Sequence, residues 1–221
     1  FNSKGGSSDN DVQLSYVVFQ GNNATGLGAT SADMPKLTAD HVAFDSNQEA
    51  AIIVTHNRTE PWSFTNCTFV NNALSGSSPV YPQIMLLSEN TSGASTGAIT
   101  FTDCVIAGNG SAGNASNGAN LIHVAAPNAP VNFVNCGIPT SGSYAVGTGI
   151  FKLGPGTPAP TQTSVTNADP HLANVNGTVD ANYLAVQALS YANAGSGGTD
   201  LSGYGPFTGT VSSVSDWSLY F

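Results

Sequence analysis

The chain has 221 residues and a mass of 22.4 kDa, which is long enough for one domain with a sizeable core. Only 8% of the residues are charged, and 4 Lys and Arg against 13 Asp and Glu give a net charge of −9. A nucleic-acid surface needs clustered Lys and Arg, so this composition excludes nucleic acid as a partner. No apolar run approaches the length of a bilayer span, and we therefore expect no membrane span.

The first predicted element is a polar N-terminal arm over residues 1–11, rich in Gly, Ser and Asn. A repeat unit follows, and its pattern is clearest at residues 62–72: apolar, x, apolar, x, turn residue, small apolar, x, large apolar, x, x, Asn. Four other segments align with this unit without a gap, and the five units begin at residues 12, 37, 62, 99 and 131. Self-similarity at such intervals is typical of solenoids.

Each unit alternates apolar and polar residues on both sides of one turn residue. This period of two predicts a strand, a sharp bend and a second strand. Asn and Asp tolerate the left-handed backbone conformation that such a bend needs better than most residues do. The five predicted bend residues are Tyr16, His41, Asn66, Asp103 and Asn135.

The sixth and eighth positions of the units form two columns that we predict to be the core ladder of the solenoid. The core ladder consists of Val17, Val42, Cys67, Cys104, Cys136, Phe19, Phe44, Phe69, Ile106 and Ile138. In-register neighbours keep their Cβ atoms about 4.8 Å apart, which is longer than the roughly 3.5–4.5 Å of a disulfide. We therefore predict that the three Cys residues are free, buried thiols that fill the core, and we expect no metal site and no cofactor.

A third short apolar run lies between successive units, at residues 51–54, 84–87, 121–124 and 149–153. Three short strands per coil are typical of a three-sided parallel β-helix. We therefore predict an all-β fold, a parallel β-helix solenoid of about six coils over residues 12–172. The right-handed sense is expected from the preference of parallel crossover connections.

The sixth coil is predicted from a degenerate unit at residues 163–172. In this alignment Val165 takes the third position, Asn167 the bend and Ala168 the column of the Cys residues. Residues 173–221 are predicted to form C-terminal closing strands that cap the solenoid, followed by a tail.

The tail ends in an alternating set of large apolar residues, which predicts a strand with one apolar face. These residues are Trp217, Leu219 and Phe221. Such a face must be buried, either on the end of its own solenoid or on a neighbouring subunit. We interpret the three residues as candidate subunit contacts.

Several short motifs near the C-terminus resemble a known class of proteins. They are Asp169-Pro170, Tyr183-Leu184, Ser190 followed by Ala194-Gly195, and Asp200-x-x-Gly203. In this respect residues 12–205 resemble right-handed parallel β-helix proteins of the pectin-lyase-like class, closest to bacterial surface proteins named for a choice-of-anchor domain. The resemblance implies the fold. That class includes polysaccharide lyases and hydrolases, phage tailspikes, adhesins and proteins without known catalysis, so no activity is implied.

The sequence contains no convincing catalytic constellation, and we predict that the chain is not an enzyme. Lyases of the class pair acidic calcium ligands with an Arg or Lys, but Arg58 lies in a predicted loop and Lys152 has no carboxylate in matching register. A hydrolase needs carboxylates about 5–10 Å apart from converging coils. Asp40 and Asp45 share one coil without acidic neighbours, so we interpret both as solvated or turn residues.

Seven Asn-x-Ser/Thr sequons occur in the chain. Those that lie in predicted loops are candidate glycosylation sites, because a glycan needs an exposed acceptor. They are Asn57, Asn90, Asn109 and Asn114.

Together these features predict a secreted structural β-helix protein of the cell surface that self-associates into filaments or acts as an adhesin. The first coil lacks the helix that often covers the N-terminal end of a solenoid, so we expect unpaired strand edges there and contacts between copies, head-to-tail or by strand exchange. One alternative is a polysaccharide-binding or polysaccharide-degrading domain with Trp62, Tyr81 and Tyr144 lining a sugar groove. Another is a segment of a phage or viral fibre.

Overall fold

The computed structural model describes residues 11–29, 35–54, 60–74, 84–86, 97–108, 122–124, 130–140, 146, 151–153, 157–205 and 208. Within these ranges the chain is nearly all β, with thirteen short strands and two 3-10 helices, Leu189–Tyr191 and Ser196–Gly198. No helix in this part of the chain is long and apolar enough to cross a membrane.

The strands form two parallel sheets, and the chain passes repeatedly from one to the other. The first sheet contains β1 (Val12–Gln20), β3 (Leu37–Asp45), β5 (Trp62–Thr65), β6 (Thr68–Val70), β8 (Ile99–Thr102), β9 (Val105–Ile106), β11 (Val131–Val134) and β13 (Thr161–Thr163). The second sheet contains β2 (Leu27–Ala29), β4 (Ile52–Val54), β7 (Ile84–Leu86), β10 (Ile122–Val124) and β12 (Phe151–Leu153). The long strand β3 pairs with β5 through its first half and with β6 through its second half, so the first sheet curls.

The register of the first sheet places the starts of the five predicted units side by side. The paired residues are Val12 and Leu37, Leu37 and Trp62, Trp62 and Ile99, and Ile99 and Val131. The predicted alignment of the units is therefore confirmed. The strands of the second sheet from β4 onward coincide with the predicted third runs, whereas β2 was missed because Gly28 interrupts its apolar pattern.

The predicted bends are confirmed by the backbone angles. All five bend residues have positive φ values: Tyr16 54°, His41 50°, Asn66 50°, Asp103 53° and Asn135 50°. A left-handed residue inside an extended segment turns the chain sharply, so the side chains before and after it point to the same interior.

The last unit has a register that differs from the prediction by three residues. Phe133 pairs with Gln162, and Ser164 has a φ of 54°, so Ser164 is the bend and Val165 follows in the column of the Cys residues. The predicted roles of Val165, Asn167 and Ala168 are therefore wrong. The polar Gln162 takes the third position, which is apolar in the other units, and this shifted the apolar pattern onto Val165.

The interior between the sheets is filled by the core ladder. Eight ladder residues are fully buried: Val42, Phe44, Cys67, Phe69, Cys104, Ile106, Cys136 and Ile138. Val17 and Phe19, in β1, are only partly buried. Aromatic rings stack along the columns, with centroid distances of 5.0 Å between Phe19 and Phe44 and 4.9 Å between Phe44 and Phe69, close to the strand spacing of about 4.8 Å.

Three asparagines end the first three units and form a hydrogen-bonded ladder along one corner. The backbone N and Nδ2 of Asn22 donate to Oδ1 of Asn47 at 3.2 and 2.6 Å. Asn47 donates in the same way to Oδ1 of Asn72, again at 3.2 and 2.6 Å. Because Asn47 and Asn72 are fully buried, these bonds satisfy amides that have no access to water and hold neighbouring units in register.

Residues 172–205, here called the lateral segment, lie along the side of the first sheet that faces away from the core. The described residues 173–205 form turns and short 3-10 helices, so the prediction of closing strands is wrong for them. Left-handed residues such as Asn174 and Asn176 interrupt the segment too often for a strand to form. Its side chain Tyr183 packs on Ala43 of β3, outside the core ladder.

Candidate functional site

Strand β1 forms the N-terminal edge of the first sheet, and β3 is its strand neighbour among the described residues. Its inward side chains Leu14, Val17 and Phe19 are only partly buried. The residues that pair with them in β3 are fully buried: Ala39, Val42 and Phe44. One side of this apolar layer is therefore open. We call Val12, Leu14, Tyr16, Val17 and Phe19, together with the backbone edge of β1 that no described strand pairs with, the N-terminal face.

The N-terminal face lacks the features that normally stop one strand edge from pairing with another. The strand reads VQLSYVVFQ and contains no charged residue and no Pro. Edge strands of natural proteins commonly carry Lys, Pro or a bulge to prevent pairing with another chain. Tyr16 adds a large side chain that is 70% exposed. Among the described residues, an uncharged edge of nine residues with apolar inward side chains therefore has no partner beyond β3.

The asparagine ladder ends at the same face. Oδ1 of Asn47 and Oδ1 of Asn72 each accept two hydrogen bonds from the preceding asparagine. Oδ1 of Asn22 occupies the equivalent place in β1's unit and accepts no hydrogen bond from the residues that the structure describes. The corner of the N-terminal face thus presents an acceptor that one further unit would satisfy.

The opposite edge of the first sheet, at β13, is polar. All three residues of β13, Thr161 to Thr163, are exposed. Gln162 stands in a column that the preceding unit fills with Phe133, and the exposed Asn167 follows in the column of Ile138. Pro160 precedes the strand and has no N–H to offer to a further strand. This end therefore terminates the apolar columns.

A polar cluster lies beside the N-terminal face, on the outward side of β1 and β3. The ring of Tyr16 stacks on His41 with a centroid distance of 4.8 Å and an angle of 18° between the planes. Nδ1 of His41 lies 3.0 Å from Oδ1 of Asp40, and Nδ2 of Asn66 donates to the same oxygen at 3.4 Å. An exposed aromatic ring next to a carboxylate and an imidazole can stack on a polar ring and hydrogen-bond to it.

Asp45 is fully buried and is the last residue of β3, so the prediction that it is a solvated or turn residue is wrong. The lateral segment covers it: the backbone N of Asn176 donates to Oδ2 at 2.7 Å, and the hydroxyl of Tyr183 donates to the same atom at 2.9 Å. Ser46 Oγ and Gln20 Nε2 donate to its carboxylate at 2.7 and 3.3 Å. The carboxylate therefore fastens the lateral segment to β3. Asp40, by contrast, keeps 45% of its side chain exposed.

The hydroxyl of Tyr183 remains protonated in this environment. Burial is the main cause that raises its pKa well above the usual value, and the neighbouring charge of Asp45 raises it further. A protonated phenol donates to the carboxylate, whereas a phenolate would repel it.

The lateral segment is also fastened further along the sheet. The backbone N of Ser196 donates to Oδ1 of Asp103 at 2.7 Å, and Nδ2 of Asn135 donates to Oγ of Ser196 at 2.8 Å. The backbone N of Tyr204 donates to Oγ1 of Thr68 at 2.9 Å. Sequence reasoning missed these anchors, and the bend residues Asp103 and Asn135 carried no signal beyond their turn propensity.

The three thiols are free and buried, as predicted from their shared column. Each thiol donates to the carbonyl two residues before it, from Cys67 to Thr65 at 3.2 Å, for example. Burial raises the pKa of Cys104 well above its usual value, and hydrogen bonding to the thiols of Cys136 and Cys67 raises it further. Such thiols are poor nucleophiles and act as core residues. In the described ranges no group of three or more His, Cys, Asp or Glu side chains could hold a metal ion.

Trp62 does not line a sugar groove, and that prediction is wrong for it. Its side chain is 2% exposed, because it belongs to the core, and its Nε1 donates to the carbonyl of Pro35 at 3.0 Å. The other predicted groove residues, Tyr81 and Tyr144, lie outside the described residues.

Two further sets of predicted residues also lie outside the described ranges. One is the set of glycosylation candidates: Asn57, Asn90, Asn109 and Asn114. The other is the set of tail residues: Trp217, Leu219 and Phe221. Both sets stay predictions.

A scan against models of known protein families, a search of curated proteins and a search of solved structures each found no match to this chain. The resemblance to pectin-lyase-like and choice-of-anchor proteins therefore stays a prediction from the residues alone.

Proposed function

We propose that this chain is an extracellular structural protein of the cell surface, a right-handed parallel β-helix of about six coils that associates with itself. The in-register units and the alternation of the chain between two parallel sheets support the β-helix. A rod of this kind offers long, regular sides and two ends, so its contacts with other molecules are made at one of these surfaces.

The observation that carries the proposal is the N-terminal face. It combines an unprotected strand edge with the partly open apolar side chains Leu14, Val17 and Phe19. Open edges and exposed apolar patches are where proteins bind other chains. An extracellular location is supported by the small fraction of charged residues, 8%, and by the seven sequons.

Sedimentation velocity of the full chain at neutral pH, from low to high micromolar concentration, tests the proposal. We expect a species larger than the monomer that becomes dominant as the concentration rises. Leu14→Glu should prevent this association, because a carboxylate at the N-terminal face would lose water on contact. Gln162→Glu is the matched control, since Gln162 occupies the same column at the other edge. A chain that stays monomeric at every concentration would contradict the proposal.

A second candidate function is glycan binding by the polar cluster of Tyr16, His41 and Asp40. The exposed ring of Tyr16, stacked on His41 beside a carboxylate, is the observation that favours it. Affinity electrophoresis in gels that contain neutral or acidic polysaccharides tests it. We expect retardation by at least one polysaccharide that is lost in Tyr16→Ala and kept in Thr163→Ala. Equal mobility of all three proteins in every gel would exclude this function.

A further inference from the structure

We propose that the partner of the N-terminal face is the same face of a second copy, so that two chains form a closed dimer about a two-fold axis. This inference rests on the proposed self-association and specifies its symmetry. It replaces the head-to-tail contact expected from the sequence.

The polar residues and the proline of the β13 edge disfavour a head-to-tail contact with the N-terminal face. Stacking β13 of one copy on β1 of the next would continue the columns, with Gln162 opposite Leu14 and Asn167 opposite Phe19. Each side-chain amide would leave water and face an apolar side chain that offers no hydrogen bond. Pro160 would also leave a backbone acceptor of the neighbouring copy without a donor.

Two N-terminal faces match each other in polarity and charge, and their backbone edges can pair. Each contributes Leu14, Val17 and Phe19 to a shared apolar layer. Strand β1 carries no charge in a chain whose net charge is −9, so two copies of this strand can approach each other without repulsion between charged side chains of the strand itself. A two-fold axis makes the two β1 strands antiparallel, and antiparallel edges can exchange backbone hydrogen bonds directly. Contacts between identical patches are also the commonest form of symmetric association.

Cysteine cross-linking of the full chain separates the possible symmetries. Ser15 and Gln13 are exposed on β1 and Thr163 is exposed on β13, whereas the native thiols are buried. We expect one of the two variants, Ser15→Cys or Gln13→Cys, to give a covalent dimer by itself under mild oxidation, because a two-fold axis brings a residue close to its own copy only where that residue lies beside the axis. Thr163→Cys should stay monomeric on denaturing gels, alone and in a mixture with Ser15→Cys. Sedimentation velocity should show that the wild-type assembly stops at two copies.

The outcomes distinguish failure of this inference from failure of the proposed function. Cross-links between Ser15→Cys and Thr163→Cys, with species that grow beyond the dimer, would overturn the two-fold arrangement and leave self-association standing. A dimer in which neither β1 variant cross-links would do the same. A wild-type monomer at all concentrations would overturn both, and association that appears only after deletion of residues 1–10 or 209–221 would show that the chain covers its own face.

Discussion

The two edges of the first sheet are made by the same repeat and differ in the side chains that complete it. At β1 the columns continue to the edge with Leu14, Val17 and Phe19, which stay partly open. At β13 the columns stop, because Gln162 and Asn167 replace apolar residues. The terminal unit of a solenoid needs a polar outer face to remain soluble. The difference teaches that the two edges of one repeat can have opposite polarity: the inward columns are polar and exposed at β13, and apolar and partly buried at β1.

The largest expected effect is a loss of folding stability. Comparing this loss at two stacked phenylalanines reports how open the N-terminal face is. Phe19 and Phe44 are neighbours in one stacked column, but Phe44 is fully buried and Phe19 only partly. Phe44→Ala should lower the free energy of unfolding by about 3–5 kcal/mol because it leaves a cavity. Phe19→Ala should cost only about 1–2 kcal/mol, since less apolar area is lost. Urea denaturation at a concentration where the protein is monomeric checks this, and equal losses would mean that the monomer already covers β1.

The next effect concerns the outward side of β3. The lateral segment covers this side, although the neighbouring strand β1 is only partly buried. Asp45→Ala should destabilise the protein by about 2–4 kcal/mol, because the hydroxyl of Tyr183 and the N–H of Asn176 lose their acceptor. The control is Asp40→Ala in the same strand, which should change the stability by less than about 0.5 kcal/mol because Asp40 is partly exposed. Hydrogen exchange of the lateral segment should accelerate in the first variant alone; unchanged exchange would show that Asp45 does not fasten it.

Alkaline pH provides a third comparison, because two buried tyrosines of the lateral segment donate hydrogen bonds from their hydroxyls, Tyr183 to Asp45 and Tyr191 to the carbonyl of Ala168 at 2.9 Å. Burial raises the pKa of Tyr183 and of Tyr191, so the folded protein keeps protons that unfolded tyrosines lose above about pH 10. Stability should therefore be full below pH 10 and then fall by about 1.4 kcal/mol per pH unit for each tyrosine. Urea midpoints between pH 8 and pH 11.5 check this.

Phenylalanine variants show how much of the stability loss at alkaline pH each of the two tyrosines causes. Tyr183→Phe and Tyr191→Phe should each remove one part of the slope. Because both hydroxyls keep their protons in the folded protein throughout this pH range, we expect the two substitutions to reduce the slope by about the same amount. A slope that neither variant changes would place the alkaline sensitivity elsewhere in the chain.

The register of the first five units was predictable from one physical signal that all of them share, and a second signal coincides with it in the three units whose bend residues are Asn66, Asp103 and Asn135. Alternation of apolar and polar residues requires a strand, and Asn or Asp at the bend marks where that alternation restarts. The sixth unit was not predictable from the same signals. Gln162 has the polarity of a solvent-facing residue, and it is exposed in an inward column because β11 is the only strand that pairs with β13 among the described residues.

The burial of Asp45 was not predictable for a different reason. Its bonds to Asn176 and Tyr183 join residues 131 and 138 positions apart, and the lateral segment that supplies them has no repeat or period. A carboxylate next to a bend is solvated in most contexts, and nothing near Asp45 in the sequence marks the exception. The uncharged composition of β1 was readable from the sequence, but the polarity of the other edge required the corrected register.

The smallest change in stability is expected for a double variant that gives the β13 edge apolar inward residues like those of β1. This variant tests the comparison of the two edges most directly. Gln162→Leu with Asn167→Phe restores the apolar residues that the third and eighth columns carry in the preceding units. Because both positions are exposed, the free energy of unfolding should change by no more than about 0.5 kcal/mol.

The same double variant should nevertheless change the assembly. Each copy would then carry two apolar ends, so association that stops at two copies in the wild type should continue into rods, visible by negative-stain electron microscopy and as growing species in sedimentation velocity. Thr163→Leu is the matched control, because it adds an apolar residue to the same strand at a position outside the inward columns. If this control polymerises as well, added hydrophobicity alone drives the growth. If the double variant stays a dimer, the polar residues of the last unit are not what closes that end.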